Sequence, residues 1–258
     1  MNELFNMIIL AIVQGLTEWL PISSSGHLVF VSQLLGFANN MEFDVAVHFG
    51  TLMAVFVYFG KDITDIVEAM LKGKWKSDKA QLGLMILLGS IPAGIIGILF
   101  KEYFEAAFTS LFVVALSFII TGMILSIASF DFFGRKEIPG WKGALFVGLA
   151  QALAIMPGIS RSGSTIAAGL ISKLNMKSAL RCSFLLSIPA VFGANIVALG
   201  NQTMSSDLLL PTFIAFFVGL ATIHLIFRKL LTTYKSLRWF AGYAFLLGII
   251  LLFYSLFG

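Results

Sequence analysis

Apolar runs of spanning length recur along the chain, separated by short stretches where charged residues collect. Six of them are roughly Phe43–Phe59, Gln81–Phe100, Thr109–Phe130, Arg181–Leu199, Leu208–Phe227 and Trp239–Phe257. Each approaches the ~20 residues that a helix needs to cross a bilayer. Two further apolar stretches are broken in the middle. Met1–Gly36 is interrupted at Pro21, and Lys142–Lys173 at Pro157-Gly158, and small polar residues follow both breaks. Proline ends a helix, and glycine after it favours a turn. Both stretches therefore predict re-entrant helical hairpins, near residues 1–36 and 142–173, that dip into the membrane and return to the side they came from.

The charged stretches give these elements an orientation. Lys61, Lys72, Lys74, Lys76 and Lys79 make the first long loop strongly basic, which marks it as cytoplasmic. Arg135, Lys136 and Lys142, then Lys173, Lys177 and Arg181, then Arg228, Lys229, Lys235 and Arg238 mark three more inside loops. Asn201–Asp207 has no basic residue and Lys101–Glu105 has one against two acids, so both belong outside. On this count the second hairpin enters from the cytoplasm. The first carries no Lys or Arg and enters from outside, and both termini are external.

The two broken segments also resemble each other. A shift of 137 residues lays QGLTEWLPISSSG, from Gln14, over QALAIMPGISRSG, from Gln151, with six identities in thirteen positions and no gap. The identities include the polar residues at the break. Opposite sides of approach make this an inverted-topology repeat, an arrangement that places binding sites near the bilayer midplane. The expectation is an all-α polytopic membrane protein with about six transmembrane helices and two re-entrant hairpins. It forms a single membrane domain over 1–258, with repeat-like halves of roughly 1–130 and 131–258.

Composition agrees and removes alternatives. The chain is 59% hydrophobic and 12% charged, with 26 phenylalanines, whereas a soluble domain is about 25% charged. Its net charge of +4 sits in the short loops, the pattern of membrane orientation rather than of nucleic-acid binding. Cys182 is the only cysteine, which excludes an intrachain disulfide and a cysteine zinc site. The first segment lacks a basic leading region and carries Glu18, so it is expected to be retained rather than cleaved.

Ionisable residues at membrane depth are costly and are functional candidates. Here they are Glu18, His27 and Arg161, all beside the two breaks. Gln14 and Glu18 share a helix face at i,i+4, and a carboxylate with an amide oxygen suits a hard cation such as Mg2+ or Ca2+. Ser23, Ser24, Ser25 and Gly26 offer hydroxyls and turn amides that suit an anion. His27 is placed to accept a serine proton, protonate a leaving oxygen or attack phosphorus itself. After the second break, Ser160, Arg161, Ser162, Gly163, Ser164 and Thr165 open a helix whose free amides face an anion. Arg161 adds a planar fork matched to phosphate oxygens. A buried ion pair between Glu18 and Arg161 is an alternative role for the same two residues. His48, four residues after Asp44, reads as structural or supporting, and His224 as inert. The Lys72–Lys79 run lacks P-loop spacing and reads as a basic loop against anionic headgroups.

At QGLTEWLPISSSGHL and PGISRSGSTI the chain resembles the bacterial undecaprenyl-pyrophosphate phosphatases, the bacitracin-resistance protein family, and FDVAVHFGTLMAV (Phe43–Val55) looks like a further family segment. The resemblance implies removal of the terminal phosphate of undecaprenyl pyrophosphate with a divalent cation. This returns the lipid carrier to cell-wall synthesis and confers bacitracin resistance. It implies essential roles for Glu18, Ser24, His27 and Arg161, and a pyrophosphate site lined by Ser23, Ser25, Gly26, Ser160, Ser162, Gly163 and Thr165. Where many members carry a second glutamate this chain has Gln14, so Glu18 is the one certain carboxylate at the metal site. It further implies the bacterial cytoplasmic membrane, a site opening to the outer face, the bilayer as partner and room for a homo-oligomer. The residues leave open whether Ser24, His27 or water attacks phosphorus. The competing reading is a flippase for the lipid monophosphate, since inverted repeats with broken helices are also transporter architecture.

Overall fold

The computed structural model describes residues 3–37, 41–130, 134, 136–199 and 205–257. These residues form α-helices α1 (Glu3–Thr17), α2 (Ser24–Leu35), α3 (Met41–Tyr58), α4 (Gly60–Leu71), α5 (Asp78–Leu99), α6 (Lys101–Phe108), α7 (Leu111–Ala128), α8 (Trp141–Leu153), α9 (Arg161–Ile171), α10 (Met176–Leu199), α11 (Leu209–Leu225) and α12 (Leu237–Phe257), with no strand among them. Six helical stretches are long and apolar enough to cross a membrane: Met41–Tyr58, Asp78–Leu99, Leu111–Ala128, Met176–Val197, Ser206–Leu230 and Tyr234–Phe257. Each overlaps one expected span, and the chain is an all-α, multi-pass membrane protein. Their outward faces remain apolar: Ile98, Leu99, Phe217, Phe253 and Phe257 are all exposed, as befits side chains whose solvent is lipid rather than water. Arg135, Met1, Asn2 and residues 201–204 of the Asn201–Asp207 loop lie outside the described residues.

Each broken stretch folds as two helices around its break. α1 and α2 flank residues 18–23, and α8 and α9 flank residues 154–160. α1 lies on α11 and α8 on α5, α3 packs on α11 and α10 on α5, and α3 also meets α10 while α7 meets α12. The likeness of the two breaks extends to individual atoms. Ser23 Oγ caps α2 by accepting from Gly26 N at 3.3 Å, and Ser160 Oγ caps α9 by accepting from Gly163 N at 3.0 Å. Each capping hydroxyl also lies 3.3 Å from the serine two residues on, Ser25 or Ser162. Side-chain caps satisfy amides that no helical carbonyl reaches.

Irregular backbone inside a membrane has no water to bond to and needs protein partners. Here each break is supplied from elsewhere. Thr121 of α7 donates to the Gly158 carbonyl at 2.9 Å and accepts from Ser160 N at 3.0 Å. Ser162, from the second break, donates to the Leu20 carbonyl in the first at 2.8 Å. Gly158 has φ +94, and a Cβ there would lie 2.6 Å from Ser117 Cβ, so this turn needs glycine. A Cβ on Gly26 would lie 3.0 Å from Gly158 Cα, so the two breaks meet backbone to backbone. Trp19, Phe184, Phe59 and Phe227 pack in an aromatic chain beneath them, with ring centroids 5.0 to 6.2 Å apart.

One expected loop is a helix. Lys61–Lys79 contains α4, whose Ile66 and Ala69 are buried while Asp62, Asp65, Glu68 and Lys72 sit on its polar side. Apolar residues at 63, 66, 67 and 70 follow a helical period, but the stretch is too short and charged to span. Its acids bind the neighbouring helices. Lys79 Nζ is 3.0 Å from both Asp62 Oδ1 and Asp65 Oδ2, and Arg181 Nη2 is 2.5 Å from Asp62 Oδ1. Two of the residues counted as loop charges are thus partners in an ion-pair cluster.

Candidate active site

The first break ends in an unusual turn. Ser23 has φ 65 and ψ 97, a region that non-glycine residues occupy only when their surroundings hold them there. The turn places Glu18, at the end of the first hairpin arm, opposite Ser24, the first residue of the second arm. Glu18 is 7% exposed and forms the hub of the site. Its Oε2 accepts from Ser24 Oγ, and from Gln14 Nε2 at 3.0 Å, as their i,i+4 spacing requires. Its Oε1 accepts from Arg161 Nη2 of the other hairpin, 143 residues away in sequence. Arg161 also lies over the Trp19 ring, 5.4 Å from the centroid, a cation–π contact that replaces lost hydration. The buried ion pair expected as an alternative role is therefore present, and it lies within the same cluster as Ser24.

Several polar atoms at this hub are buried with no hydrogen-bond partner among the described residues: Gln14 Oε1, Arg161 Nη1 and Trp19 Nε1. Burying an unpaired polar atom is unfavourable, so unpartnered atoms on Gln14 and Arg161, both bonded to Glu18, point to a ligand there. Gln14 Oε1 offers an acceptor, while Arg161 Nη1 and Trp19 Nε1 offer donors.

The other nominated residues divide by position. Gly26 and Gly163 allow close packing: added Cβ atoms would meet the Phe118 ring at 2.7 Å and Ser160 Cβ at 3.1 Å, respectively. Ser23 and Ser160 cap their helices, Ser25 lies beside Ser23, and Ser162 crosses to the first hairpin. Thr165 turns toward α10, 2.6 Å from Ser183 Oγ, and donates to the Arg161 carbonyl at 2.8 Å. It braces the arginine's helix. His27 is one turn beyond Ser24, but its ring nitrogens are engaged elsewhere. Nδ1 lies 2.6 Å from the Ser23 carbonyl oxygen and Nε2 lies 2.7 Å from Tyr243 Oη.

Four neighbours of the cluster were not nominated as site residues by the sequence. His48 Nε2 lies 3.7 Å from Glu18 Oε2, with its Nδ1 on the Asp44 carbonyl at 2.8 Å. Thr51 is 3.4 Å from Gln14 Nε2. Trp19 and Tyr243 complete the set. The segment FDVAVHFGT pointed to α3, but nothing local singled out Tyr243 in the apolar run of α12.

Chemically, the arrangement holds a hydroxyl on a carboxylate, next to an arginine with one free guanidinium nitrogen and at the start of α9. A hydroxyl paired with a base is an activated nucleophile. An arginine fork and free helix amides bind phosphate oxygens.

Comparison with known proteins then adds context. The family described as Bacitracin resistance protein BacA matches residues 7–250. An undecaprenyl-diphosphatase of Carboxydothermus hydrogenoformans is 40% identical over 96% of this chain and 96% of its own length. Undecaprenyl-diphosphatase 1 of Pseudoalteromonas translucida is 41% identical over 96% of this chain and 97% of its own. An undecaprenyl-diphosphatase of Halothermothrix orenii is 43% identical over 84% and 82%.

Proposed function

This chain belongs to the bacitracin resistance protein BacA family, and from that premise we propose that it hydrolyses undecaprenyl pyrophosphate to undecaprenyl phosphate and inorganic phosphate, returning the lipid carrier to cell-wall synthesis. The observation that carries this reading is the convergence of Ser24 and Arg161, from separate hairpins, on one buried carboxylate. A lipid transporter has no need of a serine hydroxyl held on a base.

The reaction follows from the contacts. Arg161 takes the terminal phosphoryl oxygens through its unpartnered Nη1. Ser24 Oγ attacks the terminal phosphorus while Glu18 takes its proton. The bond from phosphorus to the bridging oxygen breaks, and undecaprenyl phosphate leaves. Water then attacks the phosphoserine and loses a proton whose final acceptor is the His27 imidazole, the serine oxygen regains a proton from Glu18, and phosphate departs. Such transfers depend mostly on positioning and charge stabilisation, which suits a compact cluster of this kind.

The residues fit a divalent cation, Mg2+ or Ca2+, in a limited way. Glu18 and the unpartnered Gln14 Oε1 offer one carboxylate and one amide oxygen, too few for a dedicated cage. They would hold a hard cation beside the pyrophosphate, and its charge would offset that of the phosphates. We place the protein in the bacterial cytoplasmic membrane as two inverted halves, 1–130 and 131–258, with both termini external and the pocket opening outward. The basic inside loops support that orientation.

The test is phosphate release from undecaprenyl pyrophosphate by purified protein, with and without EDTA, for wild type and Arg161→Ala. Release that needs a cation and collapses in the variant supports the reading. No release by folded wild type supplied with Mg2+ or Ca2+ refutes it.

A further inference from the structure

His27 is fixed at both ring nitrogens, and the second contact occupies the nitrogen that must take the proton. The Ser23 carbonyl oxygen, 2.6 Å from Nδ1, only accepts, so Nδ1 carries a proton. In the neutral ring Nε2 is then the acceptor, and the Tyr243 hydroxyl, 2.7 Å away, donates to it. Ring packing fixes the imidazole further. Tyr243 lies nearly parallel to it, at 4° with centroids 5.7 Å apart, and Phe118 meets it edge-on at 5.2 Å and 81°.

A tyrosine is an apt partner for a histidine that must change protonation state. A hydroxyl both donates and accepts. It donates to Nε2 of the neutral ring; as its proton passes to Nε2 the oxygen takes the proton that water loses, and it then accepts from the new N–H without moving. A carbonyl there would suit only the charged ring, and an ammonium only the neutral one. Tyr243 is also 42% exposed. It borders an open groove of about 640 Å3 along α12, with Lys235, Arg238, Trp239, Gly242 and Leu246. Although the residue is partly exposed, its hydroxyl reaches across to another helix, 216 residues away in sequence, to meet the histidine.

We propose that Tyr243 is the positioning residue of His27, holding the imidazole in one orientation and with Nδ1 protonated through both proton-transfer states of the phosphatase reaction. The inference rests on the phosphatase reading and adds to it a residue of α12, an element that supplies no other member of the cluster.

The test compares wild type, Tyr243→Phe, His27→Gln and the double variant, each full-length in detergent, with undecaprenyl pyrophosphate as substrate. The phenylalanine keeps the ring packing and removes only the hydroxyl, and an apparent Tm within a few degrees of wild type verifies the fold. Tyr243→Phe should lower kcat roughly tenfold, the kinetic equivalent of about one neutral hydrogen bond, and leave KM within twofold. In the His27→Gln background the same change should cost less than twofold, because its route through the imidazole is gone. An unchanged kcat, a loss confined to KM, or equal losses in both backgrounds overturns the assignment. Wild type that releases no phosphate overturns the phosphatase reading together with this inference, whereas an active wild type with an unaffected Tyr243→Phe overturns the tyrosine's role alone.

Discussion

Removing the charge of Glu18 while keeping its shape separates its two roles. Glu18→Gln leaves Arg161 with no ion-pair partner in a position where the two side chains are only 15% and 5% exposed. Breaking a buried pair from one side costs about 3–5 kcal/mol, because the remaining charge stays desolvated. Arg161 keeps some exposure and the Trp19 face, so the lower end, about 3 kcal/mol, applies. For a chain of this length that corresponds to an apparent Tm lower by on the order of 10 °C. Neutralising both partners in Glu18→Gln/Arg161→Gln leaves no stranded charge and should recover most of that loss. Activity should behave differently. The proton acceptor for Ser24 and the phosphate-binding cation are both gone in the double variant, so phosphate release should stay at least about a hundredfold down. Thermal unfolding in detergent and phosphate release, measured on the same three preparations, decide the matter. A double variant that regains both stability and activity would sink the argument, since the pair would then be purely structural. A Glu18→Gln protein as stable as wild type would equally refute the claim that the pair is desolvated.

Other expectations rest on single contacts. Ser24→Ala should abolish turnover, by about a hundredfold or more, yet leave lipid binding and Tm near wild type, since Ser24 is only partly buried. Retained turnover would move the attack to water or His27. Gly26→Ala drives a methyl to within 2.7 Å of the Phe118 ring, so it should destabilise by about 1–3 kcal/mol, read as a lower apparent Tm. Asp62→Asn should loosen α4 from α5 and α10 by weakening its contacts with Lys79 and Arg181. These pairs are about one-third exposed, so the loss should be on the order of 1 kcal/mol and diminish at high salt. Limited proteolysis within 60–79 measures it.

Much of this protein is written locally. Hydropathy over a window of spanning length is a property of adjacent residues, and the six spans fell where the apolar runs lie. Pro21 and Pro157-Gly158 break helices through steric and hydrogen-bonding effects that act within a turn. The serines that follow have few roles at membrane depth other than caps and anion contacts. For these reasons Glu18, Ser24 and Arg161 could be singled out before any packing was known. Even the serine caps of the two breaks are foreshadowed by the repeat of 137 residues.

What lay beyond the sequence is which side chains meet across helices. Charge counting treated Lys79 and Arg181 as loop markers, whereas packing gives them Asp62 and makes Lys61–Lys79 part helix. Apolar periodicity in α12 says that Tyr243 lies on a helix, but not that its hydroxyl ends beside His27, 216 residues earlier. Nor does it direct His27 away from Ser24, or bring His48 to within 3.7 Å of Glu18. Helix rotation and crossing angle decide such meetings, and both come from how whole faces interlock. Residue type and local spacing fix each helix and the chemistry it carries, but the carboxylate, hydroxyl and guanidinium became one site only when the two hairpins packed tip to tip.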